Sequence, residues 1–431
     1  MRKYIHWILL VTVVIVAFVI YETISFRNQN TLNNDKVSLI KPTLTKTDKA
    51  IEGLEQRLKR EPKNSNVYVA LANAYLQKVR EDADTSYYSK IERLLDHTDT
   101  LGKNNSEVLE IKAFLAYGRH DFYKGMDFAQ QAVTLNPRKA SHYGALADGQ
   151  IELGKYDEAV ESVQKMVDIR PDLSSYNRVA HLRELFGDID GAKNALMLAI
   201  SAGATSSENV AFSQVELGKL YLRSDLKKSA QLFEKALLTH KDYPPAFAGL
   251  GRIAFANNEN EKAKEYFKKA FAILPIAQYA IDLRDLYFVT GNKAKSDQYF
   301  ELAKLAYQQS ISDGVNTDLE YSLFLADSGQ NVSEAFEKAQ NAYKNRPTIY
   351  SADVLAWSLY KNNNADASQQ YTTESLRLGE FDPLLLFHAG MIADRNGNKI
   401  EAKRLLKKAI ALHPHFSLLY SKMAKTKIEE L

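Results

Sequence analysis

Residues 143–171, YGALADGQIELGKYDEAVESVQKMVDIRP, decide how this chain folds. The first half places Tyr143, Leu146 and Ala147 where they share one face of an α-helix. Gly154 then ends that helix, because glycine takes the left-handed backbone of a helix stop without strain. Tyr156 packs the turn, and a second helical face follows in Ala159, Val163 and Met166. Pro171 stops it, since the next amide hydrogen is missing. The stretch reads as a hairpin of two short amphipathic helices, neither able to bury its apolar face alone.

The hairpin recurs in both directions. Small residues in matching contexts, Ala159, Ala192, Ser229, Ala263, Ser296, Ala335, Ala367 and Ala402, lie on average about 35 residues apart, close to a 34-residue unit. Pro137, Pro171, Pro275, Pro347 and Pro414 punctuate the same frame. Glycine returns at the turn as Gly187, Gly291 and Gly397, and Asn258 replaces it where asparagine also tolerates that backbone. One turn past the small residues stand Phe233, Phe267, Phe300 and Leu406, so small and large alternate where paired helices meet.

The order aromatic, Leu, small, Gly, Tyr, Ala, bulky, Ala, Pro resembles the tetratricopeptide repeat (TPR), and it recurs roughly ten times across residues 49–431. The resemblance implies an all-α fold: an α-α superhelical solenoid of about ten helix pairs over residues 49–415, with a C-terminal capping helix in residues 416–431. Three units depart from the pattern. An insertion near residues 81–86 predicts a longer or shifted second helix around Tyr88 to His97. The unit ending near Gly203 has lost its terminal proline, and Glu374 stands where a small residue is usual.

Residues 5–21 form an apolar run directly behind Arg2 and Lys3, with Trp7 and Tyr21 near its ends. Its Ile, Val and Leu centre contributes roughly −0.3 to −0.6 kcal/mol per residue to membrane insertion, and its length sits near the lower limit for a span. A cleaved secretory signal shares the basic start, but no small-x-small site follows: Val19, Ile20, Tyr21 and Glu22 are all large. The segment therefore reads as a transmembrane signal-anchor helix. Cations ahead of the span keep residues 1–4 in the cytoplasm and send the rest to the exported, periplasmic side of an inner membrane. Residues 22–48, rich in Asn, Thr, Lys and Ser, read as a flexible linker. The layout resembles single-span bacterial TPR proteins of the cell envelope.

Composition narrows the chemistry. The formal charge is +3, from 56 basic and 53 acidic residues spread along 431 positions, with no basic block for nucleic acid. There is no cysteine, which removes disulfides, thiolate nucleophiles and Cys-ligated zinc together. The nine histidines form no HExxH spacing, and His413 and His415 around Pro414 read as a polar helix-ending turn. No phosphate loop or nucleophile elbow occurs. No catalytic residue, cofactor, metal site or small-molecule substrate is expected, and the partners expected are other proteins or peptides.

In a solenoid of helix pairs the first helix of each pair faces inward and offers the binding surface. Helical phase places Asn177, His181, Arg252, Phe255, Asp285, Phe288, Glu320, Phe324, Tyr360 and Phe387 on that stripe. Two roles compete for its rings: a groove for an apolar peptide directed by Arg252, Asp285 and Glu320, or packing between neighbouring helices. The lysine, arginine and asparagine clamp of chaperone-binding TPR proteins is not matched. The function expected is a membrane-anchored protein-interaction scaffold in envelope assembly, secretion or complex formation. The alternatives are the same repeats on the cytoplasmic side and a regulatory subunit of a separate enzyme.

Overall fold

The computed structural model describes residues 45–100, 105–204 and 207–431. The chain divides into units Met1–Ala50 and Ile51–Leu431, and of the first only residues 45–50 are described. The described residues are all-α, with 22 helices and no strand. In chain order these are α1 (Lys46–Arg60), α2 (Ser65–Asp82), α3 (Tyr87–Thr100), α4 (Ser106–Gly118), α5 (Phe122–Leu135), α6 (Ala140–Glu152), α7 (Tyr156–Ile169), α8 (Leu173–Leu185), α9 (Ile189–Ala202), α10 (Glu208–Leu222) and α11 (Leu226–Thr239). They continue as α12 (Pro244–Ala256), α13 (Asn260–Ile273), α14 (Ala277–Val289), α15 (Lys293–Ser312), α16 (Asp318–Ser328), α17 (Val332–Asn345), α18 (Ile349–Lys361), α19 (Ala365–Ser375), α20 (Pro383–Arg395), α21 (Lys399–Leu412) and α22 (Tyr420–Glu430). Among them none is long and apolar enough to cross a membrane. The apolar segment 5–21 and most of the linker 22–48 lie outside the described residues. Helix α1 opens inside the stretch read as linker, because Thr45 and Asp48 cap it reciprocally.

Helices α2 to α21 form ten hairpin pairs. In most pairs the turn carries a left-handed residue, at Gly154, Gly187, Gly291, Gly397 and Asn258 as expected, and also at His120 and Asn363. Aspartate or asparagine then caps the second helix, as Asp121, Asp188, Asp225, Asn292, Asn364 and Asn398 do by accepting the amide of the third residue. From α5 to α21 the fourth residue of each second helix is small and buried: Gly125, Ala159, Ala192, Ser229, Ala263, Ser296, Ala335, Ser368 and Ala402. A side chain there would separate the pair. This corrects the sequence frame in one unit: Asn364 caps α19, so Ser368 rather than Ala367 takes the tight position, and buried Ser375 rather than Glu374 the next one. The insertion near residues 81–86 is absorbed by the first helix, since α2 has 18 residues while α3 keeps the usual 14.

First helices of successive pairs touch, α10 on α12, α16 on α18 and α18 on α20, and so form an inner row. Phe233, Phe267 and Leu406 rise from second helices into the row and are fully buried. Close approach makes room for them: a Cβ on Gly249 would overlap the Phe233 ring. At the C-terminal end α22 covers the last pair, with Tyr420 stacked on Phe387.

Within Ile51–Leu431 the stack also winds back onto itself along a seam. Turns inside early pairs meet loops between later pairs, 193 to 228 residues away. Thr85 donates to Asp313. The Asn316 amide donates to the Arg119 carbonyl at 3.1 Å, and His120 Nδ1 donates to the Asn316 carbonyl at 2.6 Å. Arg346 pairs with Glu152 and lies over the Phe122 ring. The Ile349 amide donates to the Tyr156 hydroxyl at 3.1 Å, and Arg377 reaches the Gly154 carbonyl at 3.0 Å. Apolar side chains follow: Val315 joins Leu95, Ile111 and Leu115, while Ile349 and Leu385 join Ile151, Tyr156 and Leu182.

Candidate functional site

The inner row is laced by polar pairs between neighbouring first helices. Arg178 grips Asp148 through two hydrogen bonds at 2.8 and 2.6 Å, and Arg223 reaches Glu184 at 2.5 Å. Arg252 pairs with Asp282 at 2.6 Å, and His388 Nδ1 lies 2.8 Å from Asp353 with both side chains buried. Asp327 accepts hydrogen bonds from the Trp357 indole at 2.8 Å and the Tyr420 hydroxyl at 2.6 Å. Such pairs fix the rotation of one unit on the next, since a buried charge left unpaired is costly.

A cavity of about 470 Å³ opens among α12, α14, α16, α20 and the segment before α22. That volume lies in the range of sites that take small ligands or a short chain segment. Its lining mixes apolar side chains, Ile281, Leu323, Phe324, Leu384, Phe416 and Leu418, with polar ones, His120, Arg252, Asp282, Asp285, Thr317, Glu320 and Asp327. Burial pushes the Asp285 carboxyl up to about 7 against the opposing pull of Arg284, which pairs with it at 2.6 Å. Burial likewise raises Asp282, with Arg252 opposing.

The ten residues expected on the inner stripe separate into three groups. Arg252, Asp285, Glu320 and Phe324 line the cavity together. Asn177 accepts a hydrogen bond from Ser213 at 2.9 Å, His181 is exposed on α8, and Phe255 is half-buried against Phe267 and Leu283. Phe288 is 59% exposed with the Arg284 guanidinium over its ring, away from the cavity lining. Tyr360 and Phe387 are core residues, as is most of Phe324: Tyr360 stacks on Trp357 at 4.8 Å and Phe387 is fully buried among Trp357, Phe416 and Tyr420. Tyr360 and Phe387 serve packing, with Tyr420 of α22 stacked on Phe387, while Phe324 both packs and lines the cavity.

Sequence reasoning missed His120, Thr317, Asp327, Phe416 and Leu418, all of which line the cavity. One signal was available. The step from Ser296 to Ala335 is the longest between small residues, and there α15 runs to 20 residues before the loop that carries Val315 and Thr317 inward. His413, after α21, is buried and held down to about 3 by desolvation, with Arg223 adding to the effect. Among the described residues no group of three or more His, Asp or Glu side chains is placed to hold a metal.

A family model for the tetratricopeptide repeat matches residues 244–275, the pair α12 and α13. The chain is 26% identical over 262 residues to the Protein CTR9 homolog of Arabidopsis thaliana, covering 58% of this chain and 24% of that protein. It is 25% identical over 226 residues to the TPR repeat-containing protein YpiA of Bacillus subtilis (strain 168), covering 44% of this chain and 52% of that one. The match thus spans about half or less of either curated relative. Among solved structures it is similar to PilW, a type IV pilus biogenesis factor, at 16% identity and a TM-score of 0.40, over 48% of this chain and 96% of that one. A chain of the APC/C hetero-tetramer Cut9–Hcn1 gives 14% identity and a TM-score of 0.34, over 88% and 92%. The repeated hairpins, the family match over one pair and the TPR-containing relative together support a tetratricopeptide-repeat protein.

Proposed function

We propose that this protein is a scaffold that takes a segment of a partner polypeptide into the inner cavity, tethered to a membrane by residues 5–21 with its repeats on the exported side. The observation that carries the reading is the cavity itself, whose lining sets Arg252, Asp285, Glu320 and Asp327 among apolar side chains such as Ile281, Leu323 and Phe416. An apolar surface with a few placed charges suits a chain segment that must be held in one direction. The basic residues ahead of the apolar run support the orientation, and work in envelope assembly, secretion or complex formation follows from that placement. Role and location separate experimentally. A photo-crosslinking residue at Gln278 in the cavity should capture a partner in native membranes, whereas one at Leu238, 88% exposed and outside that cavity, should not. Equal capture from both positions would remove the cavity as the binding site. A C-terminal reporter active only outside the cytoplasm tests the orientation.

A further inference from the structure

Helix α16 begins with Thr317-Asp318-Leu319-Glu320, a sequence suited to a capping box, in which the threonine hydroxyl and the glutamate carboxylate satisfy each other's amides. Those bonds are not made. The Thr317 hydroxyl makes no side-chain cap bond, is without a hydrogen-bond partner, and belongs to a residue only 5% exposed. Glu320 gives one oxygen to Arg346 at 3.1 Å, while Oε2 has no hydrogen-bond partner and lies 3.9 Å from the His120 ring nitrogen. Forgoing such a cap and leaving a buried acceptor unfilled both destabilise the free protein. Both residues line the cavity.

We propose that Glu320 and Thr317 form a subsite for a lysine or arginine side chain, and that filling it unlatches the seam through Arg346. The inference rests on the reading of the cavity as the partner's site. A cation suits the position because it supplies the donors both oxygens lack and because Asp327, two turns further along the same face of α16, takes its hydrogen bonds from the neutral donors Trp357 and Tyr420. The coupling is geometric. Arg346 holds Glu320 with one nitrogen and Glu152, on the far side of the seam, with others. His120, which carries the adjacent seam contact to Asn316, is itself part of the cavity wall. A guest cation competes with Arg346 for Glu320, and the seam loses the charge that orients its central contact. Opening requires no unit to unfold, because small changes of rotation between stacked units add along a solenoid.

The test uses tetralysine peptide as the probe, with tetraglutamate as its control, on the full chain in detergent, read by calorimetry and by hydrogen exchange of the Asn316 and Ile349 amides, which donate across the seam. We expect tetralysine to bind, Glu320→Gln to weaken it at least tenfold, and the probe to speed exchange of both amides about tenfold while amides inside α18 stay protected. Arg346→Ala should speed that exchange without probe; Thr317→Val, a milder change, should weaken the probe and leave the free protein's seam closed. Tetralysine binding that Glu320→Gln does not weaken, no binding, or binding that leaves both amides unchanged each overturns the proposal. Crosslinking of a partner from Gln278 with any of those results leaves the scaffold reading standing; a probe-driven opening without such capture does the reverse.

Discussion

The stack and the seam bury apolar side chains by opposite means. Between neighbouring units, rings such as Phe267 meet alanines one helical turn away, and the same arrangement repeats from α4 to α21. Across the seam the contacts are of several unlike kinds: a glycine turn against a proline carbonyl, arginines over the Phe122 and Tyr156 rings, a histidine on a backbone oxygen. The stack is therefore redundant and tolerant of small rotations, whereas the seam has a single register. Repetition supplies stability, and the unrepeated contacts decide which curvature the repeats adopt.

The sharpest way to break this contrast is through the stack. Phe267→Ala should cost about 3–5 kcal/mol, the range for emptying a fully buried aromatic site, and urea unfolding should show it as a lower midpoint. Because the stack is a chain of nearest-neighbour couplings, the loss should appear first in the units around α12 to α15. An unbroken, uniformly shifted transition would mean that the seam welds distant units into one cooperative body.

A second test acts through protons at the end of the stack, after α21. His413 titrates near 3 in the folded chain against about 6.5 when unfolded. Below pH 6.5 the unfolded chain takes a proton that the folded chain refuses, so stability present above 6.5 is lost as pH falls towards 3. The loss should be on the order of a few kcal/mol, and His413→Gln should flatten it. Denaturation midpoints at pH 7 and pH 4.5 for the two proteins check this. An unchanged slope would place His413 in contact with water.

Paired glycines separate the two regions more finely. Gly154 and Gly397 have nearly the same left-handed backbone, φ 69° and 81°. A Cβ on Gly397 meets nothing, while one on Gly154 would overlap the Pro347 carbonyl across the seam. Gly397→Ala should cost about 1–2 kcal/mol from backbone strain alone. Gly154→Ala should cost more, and it alone should speed exchange of the Ile349 amide. Equal costs would mean that the seam yields without loss.

These pairs also show what the sequence makes legible. Gly154 and Gly397 are the same letter at the same phase of the repeat, and periodicity placed both in turns correctly. Nothing local distinguishes them, because the difference lies in a carbonyl 193 residues from Gly154. The helix pairs, their caps and their tight positions are visible for the same reason, being set within a single unit. Tyr360 and Phe387 sit on the phase of the inner row, yet whether an inner ring faces a guest or a neighbouring helix depends on curvature, which accumulates over several units. Arg252, Asp285 and Glu320 were readable as inner charges. Their convergence with His120 was not, since it exists only where the stack returns to its own first turns.

The smallest effect should come from a charge cluster in the loop between α19 and α20. Glu380, in the loop before α20, accepts from Arg404 at 2.9 and 2.6 Å and from Lys408 at 2.8 Å, and these bonds hold its carboxyl down to about 2. Its folded value is depressed, so the stability it contributes is present above pH 4.5 and lost as pH falls towards 2. The side chains are partly open to solvent, Arg404 most of all, which screens the gain to about 0.5–1 kcal/mol. Glu380→Gln should remove that amount at pH 7, leave stability near pH 2 unchanged, and do nothing to exchange at Asn316 or Ile349. Glu380 shares its loop with the seam residue Arg377, so a response at Asn316 or Ile349 would mean that this loop passes small rotations along the seam, and the distinction between a tolerant stack and a single-register seam would fail.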